Sequence, residues 1–106
     1  MVDSLHGDFG LPCSALDALK SVFRQYPYVE GLIIYGSRVK GNYRLGSDID
    51  LCIEGPLFST TDLLKIENQI DDMLLPWKVD LSLLHHIQNK ALLKHIKEVG
   101  IRIVFR

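Results

Sequence analysis

The chain has 106 residues, 47% of them apolar, and 12 Lys and Arg against 13 Asp and Glu give a formal net charge of −1. That length supports one core and a single domain over residues 1–106, too small for a catalytic domain plus a substantial second one. The charge balance lacks the concentrated positive surface that broad nucleic-acid binding requires, and no apolar run approaches the roughly 18 residues needed to span a membrane.

Met1–Asp8 carries an early acid and no apolar centre, so no ordinary secretory leader is expected. Cys13 and Cys52 sit in unlike contexts and read as reduced thiols of a cytoplasmic protein. Charge is unevenly spread, with residues 45–75 summing to −6 and residues 76–106 to +4. The C-terminal basic excess reads as a solvated face.

The first predicted element is a helix opened by Ser14-Ala15-Leu16-Asp17, a variant of the capping box, with Leu16, Leu19, Phe23 and Tyr26 at helical spacing and Pro27 closing it. Val29 to Tyr35 follows as a strand, with Gly31 marking a bulge or a close approach. Asp48 to Ile53 is the second strand. Its alternation puts Asp48, Asp50 and Cys52 on one face and Ile49, Leu51 and Ile53 on the other. Ser59-Thr60-Thr61-Asp62 caps a second helix of about 13 residues marked by Leu63, Ile66, Ile70, Met73 and Leu74, which Pro76 breaks. Trp77 to Leu83 is the third strand, with Val79, Leu81 and Leu83 opposite Lys78, Asp80 and Ser82. A last helix runs from Ile87 or Asn89 to Glu98, its buried line formed by Leu92, Ile96 and Val99 and its end marked by Gly100. Ile101 to Phe105 is a short edge strand or a packed tail. The order predicts an α/β layer, a small mixed β-sheet packed against helices.

Between the first two strands lies the chemically suggestive stretch. Gly36 and Ser37 end an apolar run, Arg38 and Lys40 add positive charge, and Asp48 and Asp50 open the next strand. A glycine-serine turn exposes backbone N–H groups and a hydroxyl to a phosphate, and Arg38 and Lys40 are placed to neutralise leaving phosphates. Two acids about 7 Å apart along one strand face, with Asp80 as a third from the neighbouring strand, supply the hard oxygen donors that Mg²⁺ takes together with substrate phosphates. Three like charges in a small space are costly without cations. The combination predicts nucleotidyl transfer.

The run Gly36-Ser37-Arg38 through Ser47-Asp48-Ile49-Asp50-Leu51 resembles the defining motif of the DNA polymerase beta-like nucleotidyltransferase superfamily, and the small size resembles its minimal nucleotidyltransferase branch. The resemblance implies the nucleotidyltransferase fold, a triphosphate held at Gly36, Ser37 and Ser47 with help from Arg38 and Lys40, and Mg²⁺ bound by Asp48, Asp50 and Asp80 as the catalytic acids. It further implies ATP as substrate and a small all-helical partner of the HEPN class in a hetero-oligomer. In toxin–antitoxin pairs of that kind the nucleotidyltransferase transfers AMP to a tyrosine of the partner. Two other readings remain open on the sequence: a non-catalytic antitoxin that acts by binding alone, and transfer to a small molecule such as an aminoglycoside.

Other residues read more plainly. Cys52 is a poor ligand for Mg²⁺ and reads as a semi-buried filler. His85, His86 and His95 lack zinc-site spacing and read as surface or helix-start residues. Trp77 reads as packing rather than as a platform for a base.

Overall fold

The computed structural model describes residues 9–106; the expectation of no leader at Met1–Asp8 lies outside them. Helix α1 (Cys13–Phe23) buries Leu16, Leu19 and Phe23 as the spacing predicts. Its cap differs from the expected one. Pro12 occupies the N-cap position with no side-chain hydrogen bond, so Ser14 lies inside the first turn and the capping box is unused. Helix α3 (Thr60–Asp72) has the complete box: the Ser59 hydroxyl accepts from the Asp62 N–H and the Asp62 carboxylate accepts from the Ser59 N–H, both at 3.1 Å. It stops short of Pro76 because the chain turns through Leu74 at φ 53°, which leaves Leu74 exposed rather than on the buried stripe.

Strands β1 (Gly31–Tyr35), β2 (Ile49–Glu54), β3 (Val79–Leu83) and β4 (Ile101–Arg102) form one sheet in the order β3-β2-β1-β4. The β1–β2 and β1–β4 pairs are antiparallel, whereas β2 and β3 are parallel and joined across α3. The result is the mixed sheet with packed helices that the sequence predicts. Gly31 serves a close approach rather than a bulge. Its pairing with Glu54 is regular, and its missing side chain leaves room for Arg102 to reach the Glu54 carboxylate at 2.7–2.8 Å across β1.

The two sheet faces are covered differently. Leu32, Ile34, Ile49, Leu51, Ile53, Leu81 and Leu83 turn toward α1 and α3 and join the main core with Phe23, Phe58 and Ile66. Each such aliphatic side chain contributes about 1.5–3 kcal/mol of burial. On the other face α4 (Lys90–Val99) covers only Ile33, Tyr35 and Cys52, chiefly through Ile96. Cys52 is therefore fully buried, and burial pushes its thiol up to about 11, which disfavours the thiolate. Asn89 caps α4, its side-chain oxygen accepting from the Leu92 N–H at 3.1 Å.

Candidate active site

The polar part of the second face is what α4 leaves uncovered. Strand register fixes its layout: Tyr35 pairs with Asp50 and Asp50 pairs with Asp80, so the three form one row across β1, β2 and β3. The next row is Ile33, Cys52 and Ser82. Neighbouring strands lie about 4.8 Å apart, which puts the Asp50 and Asp80 side chains beside each other on one face. Asp48 sits exposed just ahead of β2, where the Ile49 N–H donates to the Lys78 carbonyl at 2.8 Å and ties the strand starts together.

Electrostatics registers the crowding. Burial raises the Asp50 carboxyl above its ordinary value, the charges of Asp80 and then Asp48 push it the same way, and His95 pulls it back. Tyr35 is raised by burial first, with Asp50 and Asp80 adding to it, while its hydroxyl pairs with the Ser82 hydroxyl at 3.4 Å. Among the described residues no three His, Cys, Asp or Glu side chains form a ready metal cage. The donor set nonetheless suits a hard divalent cation, which would relieve the repulsion that the acids impose on one another.

Beside this row the chain leaves β1 through Gly36, at φ 80° and ψ −154°, a conformation that favours glycine. A Cβ there would run into the Asp50 carboxylate. The turn leads into a short helix, α2 (Ser37–Lys40), where sequence reading expects only a loop. The helix forms because Val39 and Lys40 donate back to the Gly36 carbonyl at 3.2 and 3.1 Å, and Gly41 ends it at φ 84°.

Arg38 is placed differently from the expectation that it faces phosphates. It is 3% exposed, and its guanidinium donates to the carbonyls of Ser47 at 2.8 Å and Phe9 at 3.0 Å. The rings of Tyr43 and Trp77 lie 5.2 and 5.8 Å from it. Trp77 in turn donates its indole N–H to the Leu45 carbonyl at 3.0 Å. Arg38 and Trp77 thus anchor the loop 41–48 that delivers Asp48 to the strand start. Ser47 belongs to the same loop: its hydroxyl accepts from the Arg44 N–H at 2.7 Å. Lys40 stays exposed, and Ser37 is half-buried at the turn.

The residue that sequence reading missed is His95. Its Nε2 accepts the Gly36 N–H at 3.2 Å, and its ring stands edge-to-face with Tyr35 at 6.0 Å. A signal was available, since positions 92, 95, 96 and 99 share one helical stripe and only His95 among them is polar. His85 and His86 remain exposed. A groove of about 450 Å³ lies on the other side of the sheet, lined by Leu64, Ile70, Leu74, Trp77 and Val79, and takes no part in the acid row.

The description "Polymerase beta, Nucleotidyltransferase" belongs to a family model that matches residues 17–106, a span that includes the Gly36 turn and all three acids. The chain belongs to that family. No curated protein matches this sequence. Among solved structures it is similar to a toxin–antitoxin crystallised with AMP-PNP, at 18% identity and a TM-score of 0.66 over 83% of this chain and 70% of that one. It is also similar to a tyrosine-to-alanine mutant of the toxin–antitoxin MntA-HpeT, at 18% identity and a TM-score of 0.66 over 89% and 72% of the two chains. A nucleotidyltransferase-like chain from Sulfolobus solfataricus matches at 17% identity and a TM-score of 0.50, over 84% of this chain and 76% of that one. At these identities the likeness is one of fold. No helix among the described residues is long and apolar enough to cross a membrane.

Proposed function

We propose that this nucleotidyltransferase transfers AMP from ATP to a hydroxyl of a small helical HEPN-type partner, most simply a tyrosine, and thereby acts as an antitoxin in the cytoplasm. The observation that carries the reading is the Asp50–Asp80 register beside the Gly36 turn, which packs the turn so closely on the acid pair that a Cβ at position 36 would strike the Asp50 carboxylate. The fold likeness to toxin–antitoxin structures, one of them holding AMP-PNP, supports the nucleotide and the partner class.

Asp48, Asp50 and Asp80 would hold Mg²⁺. When bound, Mg²⁺ supplies charge neutralisation at the phosphates and a more acidic acceptor hydroxyl. The chain's own residues do the rest. The Gly36–Ser37 turn orients the triphosphate through the Ser37 N–H and hydroxyl, and exposed Lys40 adds positive charge. The acceptor oxygen bonds to the α-phosphorus, the bond to the bridging oxygen breaks, pyrophosphate leaves, and the acceptor proton passes to the carboxylate cluster.

The test is intact-mass spectrometry of the helical protein encoded beside this one after incubation with the nucleotidyltransferase, ATP and Mg²⁺. A gain of one or more AMP groups on a tyrosine supports the reading. Neutralisation of the partner by the Asp48→Asn, Asp50→Asn double variant without any mass gain would replace it with binding alone. Transfer to an aminoglycoside with none to the protein would replace the acceptor.

A further inference from the structure

We infer that His95 is a positioning residue for the nucleotide, holding the Gly36–Ser37 turn in its phosphate-receiving shape from the adjacent helix. The inference rests on the proposed role of that turn. Three observations carry it.

Gly36 lies one residue past the last β1–β2 pair, Tyr35 with Asp50, so its N–H has left the ladder. Among the described residues its acceptor is the His95 Nε2, at 3.2 Å. A half-buried N–H without a partner is unfavourable, and a glycine at φ 80° has no side chain to restrain it. The hydrogen bond thus fixes the amide side of a residue whose carbonyl is already held by Val39 and Lys40.

The imidazole is itself held. Its ring meets Tyr35 edge-on, with 78° between the planes, and its helix neighbour Ile96 is buried against Ile33, Tyr35 and Cys52. Acceptance at Nε2 uses the Nδ1–H tautomer of the imidazole. Helix α4 therefore does more than cover apolar residues; it sets one ring nitrogen against one backbone amide.

Against the Cα of Gly36 stands the Asp50 carboxylate, close enough that no Cβ would fit. Gly36 thus touches both His95 and Asp50, so the His95 contact helps set the turn that takes phosphate against the acid row. A shift of the turn loses aligned N–H donors to the nucleotide while leaving the carboxylates where they are. Nucleotide affinity is then the parameter that suffers first.

Two variants separate the acceptor from the packing. His95→Phe keeps an aromatic ring against Tyr35 and removes the acceptor, and His95→Gln places an amide oxygen near the position of Nε2. Amide hydrogen exchange at Gly36, followed by NMR in the protein without nucleotide, reads the hydrogen bond directly. Titration with AMP-PNP and Mg²⁺ reads the consequence. The expected result is faster Gly36 exchange and about 10-fold weaker AMP-PNP binding in His95→Phe, both largely restored in His95→Gln, with the urea midpoint of His95→Gln near wild type. Unchanged Gly36 exchange or unchanged affinity in His95→Phe overturns the inference while wild-type binding keeps the nucleotide reading intact. A glutamine variant as weak as the phenylalanine one also overturns it. Wild-type protein that binds no AMP-PNP, yet shows His95-dependent Gly36 exchange, removes the nucleotide reading and the positioning role with it and leaves a structural contact.

Discussion

The two faces of the sheet use the same strands and the same alternation for opposite ends. Toward α1 and α3, Ile49, Leu51, Leu81 and Leu83 meet an uninterrupted apolar layer. Toward α4 the interleaved positions begin apolar, with Ile33 and Cys52, and end polar, with Asp50 and Asp80. The contrast shows how a small domain affords a repulsive site. The larger core lies on one face, and the open end of the other is free to gather charge that the fold alone would not favour. The largest effect that separates them is on transfer. Changing Asp48 and Asp50 to Asn should lower AMP transfer by about 10³-fold, roughly 4 kcal/mol in barrier, with the fold intact by circular dichroism. A double variant that keeps near-wild-type turnover would break the division of labour between the faces.

The reciprocal change is Leu51→Ala, on the same strand but the opposite face. Removing a fully buried leucine side chain should cost about 3 kcal/mol in urea unfolding, and added Mg²⁺ should return none of the loss that is specific to the core. Equal sensitivity of transfer and stability to this variant, under conditions where it is fully folded, would mean that the faces are not separable. Arg38 is intermediate, because it belongs to neither face but to the short helix α2, from which it anchors the loop leading to Asp48. Arg38→Lys keeps the charge and loses the fork that serves Ser47, Leu45 and Phe9. It should cost about 1–2 kcal/mol and speed tryptic cleavage at Arg44, read by limited proteolysis. Cleavage as slow as in wild type would show that Tyr43 and Trp77 hold the loop without it.

Sequence reading recovers the parts of the molecule governed by local periodicity. The alternation through Ile49, Leu51 and Ile53 and the Ser59–Asp62 capping box both appear in the structure as expected, because each depends on residues within one element. Arg38 shows where that stops. A basic residue after Gly-Ser looks like a phosphate ligand until the loop folds back with the Leu45 and Ser47 carbonyls and the chain ahead of α1 adds that of Phe9, an event with no local signature. His95 shows a second limit: it lies on the apolar stripe of α4, but its partner is a backbone amide 59 residues earlier in the chain. Cys52 shows a third, since strict alternation assigns it to the charged face although α4 buries that end.

The smallest effect sharpens the comparison most, because it asks whether the acid face opposes folding. Asp50 has its folded-state pKa raised, first by burial and then by Asp80 and Asp48. A raised carboxyl binds its proton more tightly in the folded chain than in the unfolded one, so stability without metal is greatest where the group is protonated. It falls as pH rises from the unfolded carboxylate's range, near pKa 3.9, through the raised folded value. Asp50→Asn removes that term. Without divalent ions at pH 7 the variant should melt a few degrees above wild type, and the difference should shrink as the buffer is taken down toward pH 4. Mg²⁺ should raise the wild-type midpoint and move the variant less, since binding to the folded state alone stabilises it. A variant that melts below wild type at pH 7 would mean that Asp50 makes contacts worth more than the repulsion it suffers, and that the acid face supports the fold.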